Sequence, residues 1–155
     1  MDGRRRDILK TGGGLVVLAA AGLVRPRVAN AQQWNQAAFT TKNLNDAIKA
    51  MGGANATESK EIRFINPTPD IAENGAVVPI TITSDIPRTQ SIAILVEKNP
   101  NILTASFDIP EGTEAFVSTR LKMGETSNVV ALVKADGRFY FAKKEVKVTL
   151  GGCGG

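Results

Sequence analysis

One residue in this chain of 155 can act as a soft nucleophile, and it stands in an unusual setting. Cys153 is the only cysteine, with two glycines on each side in Gly151-Gly152-Cys153-Gly154-Gly155. Glycine loses more conformational freedom on ordering than any other residue, so this pentapeptide is expected to be a flexible C-terminal arm carrying an exposed thiol. At about 3.3 Å per residue it spans roughly 17 Å, and the sulfur lies roughly 10 Å beyond Leu150 on a thread slim enough for a narrow channel. A thiol of ordinary pKa, about 8.5, is only a few per cent thiolate at neutral pH. No general base accompanies Cys153 in sequence, so the thiol reads as a covalent attachment point that a partner must activate. Three plainer readings compete: an added thiol handle, a lipid site, and a terminal diglycine of the ubiquitin-like or thiocarboxylate kind. A prenylated cysteine sits fourth from the end where Cys153 is third, and the diglycine chemistry needs ATP-dependent activation.

Other chemistry is sparse. The chain has no histidine, which removes Ser-His and Cys-His pairs and most zinc or copper sites. Asp108 and Glu111 match no calcium-loop spacing and read as solvated turn charges. Lys143, Lys144 and Lys147 read as a solvated strand face, with steering of a docking partner as the alternative. Gly12-Gly13-Gly14 lacks the Gly-Lys-Ser/Thr of a phosphate loop, and Trp34 with Tyr140 is too little for a nucleic-acid stacking platform. The expectation is no catalytic residue, no metal and no cofactor in this chain.

An arm needs a post and an address. Residues 1–31 have the three parts of an export signal: Arg4-Arg5-Arg6, an uncharged run from Thr11 to Val24, and the small-residue cleavage site Ala29-Asn30-Ala31. The run is too short and too rich in glycine for a spanning helix of about 20 residues, so no stable membrane anchor is expected. Arg5-Arg6-Asp7-Ile8-Leu9-Lys10 resembles a twin-arginine signal, with Ile8 in place of the usual phenylalanine and Arg4 in place of a small hydroxyl residue. Twin-arginine substrates cross already folded, so the expected location is the periplasm. The signal holds six of the 19 basic and two of the 15 acidic residues, leaving 13 of each in a mature chain of 124 residues. That neutrality removes the case for nucleic acid or an anionic membrane. A single cysteine in an oxidising compartment pairs with another molecule or reacts.

The body, residues 32–150, is expected to be all-β after a short N-terminal helix. Leu44, Ala47, Ile48 and Met51 recur at the spacing of one helix face, with Asn43 as N-cap and Gly52-Gly53 as the stop. From Glu61 onward the spacing predicts strands near 61–65, 76–84, 90–97, 102–108, 114–123, 127–135 and 138–150, with Asp136-Gly137 as the strongest hairpin signal. Pro79 cannot donate to a ladder, which places its strand at an edge or a bulge. In the last strand Phe139 and Phe141 are out of phase with Val146, Val148 and Leu150, which predicts a bulge near Lys143-Lys144 or a change of sheet. Seven such strands suggest an immunoglobulin-like antiparallel β-sandwich.

Together these features resemble one family: SoxY, the sulfur-covalently-binding subunit of the SoxYZ carrier in thiosulfate oxidation. The residues carrying the resemblance are the twin-arginine signal, Ala50-Met51-Gly52-Gly53, Val78-Pro79-Ile80 and the glycine-flanked Cys153. It implies a periplasmic carrier with a SoxZ-like subunit as heterodimer partner, SoxZ being exported with it in folded form. Transient partners would be enzymes of the haem SoxAX, manganese SoxB and molybdenum/haem SoxCD types, which respectively conjugate thiosulfate to the cysteine, release sulfate, and oxidise the sulfane sulfur. Two readings from other classes stand beside this one. A thiol-dependent enzyme would need an acid or base near Cys153, and a structural periplasmic subunit would use Cys153 only for an interchain disulfide.

Overall fold

Apolar runs without alternation, such as Ile92–Val96 and Val129–Val133, need cover on both faces. A computed structural model, which describes residues 35–150, shows what covers them. Two short helices, α1 (Gln36–Thr40) and α2 (Leu44–Ala50), precede strands β1 (Thr57–Glu58), β2 (Ile62–Ile65), β3 (Ile71–Ala72), β4 (Val78–Ser84), β5 (Thr89–Val96), β6 (Leu103–Asp108), β7 (Phe116–Leu121), β8 (Ser127–Ala135) and β9 (Arg138–Val148). The larger sheet runs β1-β9-β8-β5-β6 with β3 also on β9, and the smaller runs β2-β4-β7. The neighbours along β9-β8-β5-β6 and β2-β4-β7 are antiparallel, and the chain is an immunoglobulin-like β-sandwich, as its strand pattern predicts.

Between the sheets, Val78, Ile80 and Ile82 of β4 share a core with Ile92, Ile94, Val129, Val133 and Val146. On the opposite face of the larger sheet, Ala93, Leu95, Val130 and Leu132 pack with Ala38 and Ala47 of the helices. The helices thus form a third layer, which accounts for the uninterrupted apolar runs.

That layer also corrects the reading of β9. No register shift occurs where β9 pairs with β8, from Ser127↔Val146 to Ala135↔Arg138, so the bulge expected near Lys143-Lys144 is absent and the strand keeps to one sheet. Phe139 and Phe141 pack under the helices while Val146 and Val148 belong to the inter-sheet core. Both faces of a regular strand are covered, so no change of phase is needed. The irregularities fall in β5 instead, at Thr89/Ser91 and Ile94/Leu95.

Pro79 lies on the central strand of the smaller sheet. β2 stops at Ile65, opposite Thr81, and β4 amides at odd positions point to the β2 side, where Thr81 N–H meets the Thr68 hydroxyl and Asp85 N–H meets Glu61 O. The missing N–H of Pro79 therefore faces an edge that is locally vacant. The expected helix stop is present: Gly52 has φ +88°, and the amides of Gly52 and Gly53 bond to Lys49 O and Ile48 O, each at 2.8 Å. Helix α1, capped by Asn35, and the two-residue strands β1 and β3 lie outside the sequence expectations.

Candidate functional site

Cys153, its four glycines, and Arg5 and Arg6 of the signal lie outside the described residues. What the structure describes is the root from which the cysteine tail leaves the sandwich. β9 outruns β8, whose pairing ends at Ser127↔Val146. Beyond that point the amides of β9 need other partners, and each described one finds one. Lys147 N–H donates to Asp70 O at 2.9 Å and Thr149 N–H to Ala72 O at 3.1 Å, both in the strap that carries β3 parallel to β9. Val148 N–H points the other way, into the place that β8 has vacated, and donates to Thr126 Oγ1 at 3.0 Å.

The strap then closes over the last described residue. Thr149 Oγ1 donates to Glu73 O at 3.0 Å. Gly75 N–H donates to Leu150 O at 2.7 Å, and Gly75 O accepts from Met123 N–H at 2.7 Å, so this one residue ties Leu150 to the chain beyond β7. At the start of the strap, Lys144 Nζ meets Asp70 Oδ1 at 2.5 Å. The hydrogen bond and the charge of Lys144 hold the Asp70 carboxyl below its ordinary range. The backbone is therefore fixed on both sides up to Val148, and on the strap side up to Leu150.

The root carries exposed apolar surface. Among the described residues the large exposed apolar side chains are Leu150 (67%), Ile71 (58%), Val77 (55%) and Phe116 (45%). The first three are the clasped residue and two positions on or next to the strap. Phe116 is on β7, an edge of the smaller sheet.

Two clefts lie elsewhere. One of about 580 Å³ is lined by Gly52, Asn55, Thr57, Arg138 and Tyr140, and one of about 470 Å³ by Ser84, Arg88, Thr89, Pro110 and Asp136. Both include the β8–β9 turn, at the start of β9, and the tail follows its end. That separates them from the root by roughly 30 Å of strand, beyond the roughly 10 Å that three residues allow Cys153. In the second cleft Arg88 and Asp136 form an ion pair, each with positive φ, and the carboxylate raises the Arg88 pKa by its hydrogen bond and its charge. Among the described residues no group of three or more acidic, histidine or cysteine side chains could hold a metal, and no helix is long and apolar enough to cross a membrane. Asp108 and Glu111 form no such group, Lys144 is engaged with Asp70, and Lys143 lies 5.3 Å from the centre of the Phe141 ring.

The strap is the part of the site that sequence reasoning missed. Asn74-Gly75 reads as a turn separating strands, and a two-residue parallel strand leaves too short a pattern to find.

Comparison with known proteins adds the family. The sequence model of the sulfur oxidation protein SoxY matches residues 48–153, so its last matched position is Cys153. The solved sulfur carrier protein SoxY from Chlorobium limicola f thiosulfatophilum is 40% identical, with a TM-score of 0.61, over 70% of this chain and 97% of that one. A superoxide reductase (neelaredoxin) from Ignicoccus hospitalis shares only the fold, at 16% identity and a TM-score of 0.50 over 59% of this chain and 82% of that one. Comparison with curated protein sequences gave no match.

Proposed function

The chain belongs to the SoxY family of sulfur oxidation proteins, and from that premise we propose that it is a periplasmic carrier which holds thiosulfate-derived intermediates covalently on Cys153. The observation that carries this reading is the extent of the family match, which runs to Cys153 itself. The anchoring of the chain up to Leu150 supports it: a carrier needs a defined base from which a short tether presents its cargo.

The chemistry proposed at the sulfur balances without a group from this chain beyond the thiol. Conjugation joins Cys153 Sγ to the sulfane sulfur of thiosulfate and breaks the S–H bond, and one proton and two electrons leave to the haem enzyme of the SoxAX type. Water then cleaves the bond between the sulfane sulfur and the sulfonate, which departs as sulfate and leaves a persulfide, the step assigned to the manganese SoxB type. A molybdenum/haem SoxCD type enzyme oxidises the terminal sulfur to a sulfonate, adding three oxygens from water and removing six electrons. A second hydrolysis returns the thiol. Gly151, Gly152, Gly154 and Gly155 keep the thread thin, so that active sites on different enzymes can receive the same sulfur. Membership of the family implies a partner in the same system such as SoxZ, and we propose that the two form a heterodimer exported in folded form by the Arg5-Arg6 signal.

Mass spectrometry of the native mature protein from cells supplied with thiosulfate tests the assignment. Sulfur adducts confined to the Cys153 peptide are expected. Cys153→Ser should abolish thiosulfate oxidation in the reconstituted system while leaving thermal melting unchanged, because a hydroxyl forms no sulfur–sulfur bond. Turnover by that variant, or a native protein found only as free thiol or interchain disulfide, would overturn the carrier reading.

A further inference from the structure

The smaller sheet has an open edge at β7, which pairs with β4 from Val78↔Leu121 to Thr83↔Phe116 without a register shift. The other described edges are shorter or irregular: β1 and β3 have two residues each, β2 has four, and β6 shifts register against β5 at Ile94/Leu95. Lysine, proline or a bulge commonly guards such an edge against other strands, and β7 has none of them. Ser84 N–H donates to Ala115 O at 2.9 Å, so even positions of β4 serve β7, and the β7 groups that answer them belong to Val117, Thr119 and Leu121. The C=O of Phe116, both backbone groups of Ser118 and the N–H of Arg120 therefore point away from β4, to the open edge. Phe116 N–H is already bonded to Glu114 O at 2.8 Å.

The side chains specify what fits there. Val117 and Leu121 belong to the inter-sheet core, so Phe116, Ser118 and Arg120 stand on the outer face, where Phe116 is 45% exposed. Phe116 and Arg120 are placed symmetrically about Ser118. An antiparallel second β7 with Ser118 opposite Ser118 brings each Phe116 across from the Arg120 of the other copy, a cation–aromatic pair. Two positions further out, the same register brings Glu114 to the Lys122 of the other copy. Among the described residues neither of these, nor Arg120, has an ion pair within its own chain. A patch that complements itself in hydrogen bonds, ring contact and charge is what a two-fold interface requires. We propose that this edge binds a second copy of the chain, β7 against β7 about Ser118, joining the two smaller sheets into one. Ser118 N–H donates to Ser118 O of the second copy and Arg120 N–H to its Phe116 O, with the same bonds in return. No group of β9 or the strap takes part.

Sedimentation equilibrium of the full mature chain under reducing conditions should show a monomer–dimer equilibrium. Lys122→Glu and Glu114→Lys should each raise the dimer dissociation constant roughly tenfold, because each sets like charges against one another at both ends of the pairing. The double variant restores opposite charges and should return within about threefold of the parent. A second measurement reads the register directly. In a Cys153→Ser background, Ser118→Cys should form an interchain disulfide with diamide as oxidant, since the Cα atoms of a hydrogen-bonded antiparallel pair are about 5.5 Å apart. Thr57→Cys in the same background, on β1 of the larger sheet, should stay a free thiol. A chain that is monomeric at every concentration would overturn the proposal. So would parental constants in both single variants, a double variant no better than either single, or a Ser118→Cys chain that cross-links no faster than Thr57→Cys. Adding the SoxZ-like partner subunit should leave the Ser118→Cys cross-link in place. Its loss would assign the edge to that subunit and overturn the pairing of two copies.

Discussion

Asp70 shows how a single exposed side chain contributes to the root. Its carboxylate lies 2.5 Å from Lys144 Nζ, and its own carbonyl accepts the Lys147 amide. The lysine lowers the Asp70 pKa, so the pair stabilises the fold fully above the ordinary aspartate value of 3.8. That contribution disappears as pH falls through the lowered value. Titrating stability from neutrality into acid should show a steeper loss for the parent than for Asp70→Asn, and the gap between the two curves should shrink in 1 M salt, where the screening length is about 3 Å. Parallel curves would mean that the ion pair contributes nothing. Thr126 acts at the same scale by a different route, standing in for the missing continuation of β8 with a hydroxyl that accepts the Val148 amide.

At the scale of elements, helix α2 stops on two glycines that resist substitution for different reasons. Gly52 takes φ +88°, and a Cβ on Gly53 would come within 3.0 Å of Ile48 Cγ2, 3.2 Å of Ile48 O and 3.4 Å of the Phe139 ring. The ring of β9 and the turn after the helix therefore approach through glycine. Gly52→Ala should cost about 1–2 kcal/mol for its left-handed backbone. Gly53→Ala carries no such backbone cost but must displace Ile48 and is expected to loosen the helix layer. Chemical denaturation checks both, and a Gly52→Ala stability equal to the parent's would remove the conformational argument.

At the scale of the molecule, the sandwich ends in a strand held along both edges up to Val148 and by the strap up to Leu150, and the reactive residue follows three positions later. The Arg5-Arg6 signal is proposed to export this carrier in folded form. Replacing Arg5 and Arg6 by Lys should leave the precursor in the cytoplasm, detected by fractionation and immunoblotting. Unchanged export of that variant would remove the twin-arginine reading and leave the sandwich and the family assignment intact.

Much of this protein is legible from residue types alone. The lone thiol, its glycines, the Asp136-Gly137 turn, the Asn43 cap and all seven principal strands follow from local chemistry, because turn conformations and period-two patterns are properties of neighbouring residues. Tertiary structure decided the rest, where the partners are distant in sequence. Phe139 and Phe141 look out of phase until helices 90 residues earlier cover their face. Pro79 fits a central strand only because β2 stops short of it. The strap that clasps Thr149 and Leu150 comes from residues about 75 positions upstream, and its bonds are mostly backbone to backbone. Backbone partners leave almost no signature in side-chain identity, so only the folded chain shows where the root of the tail is held.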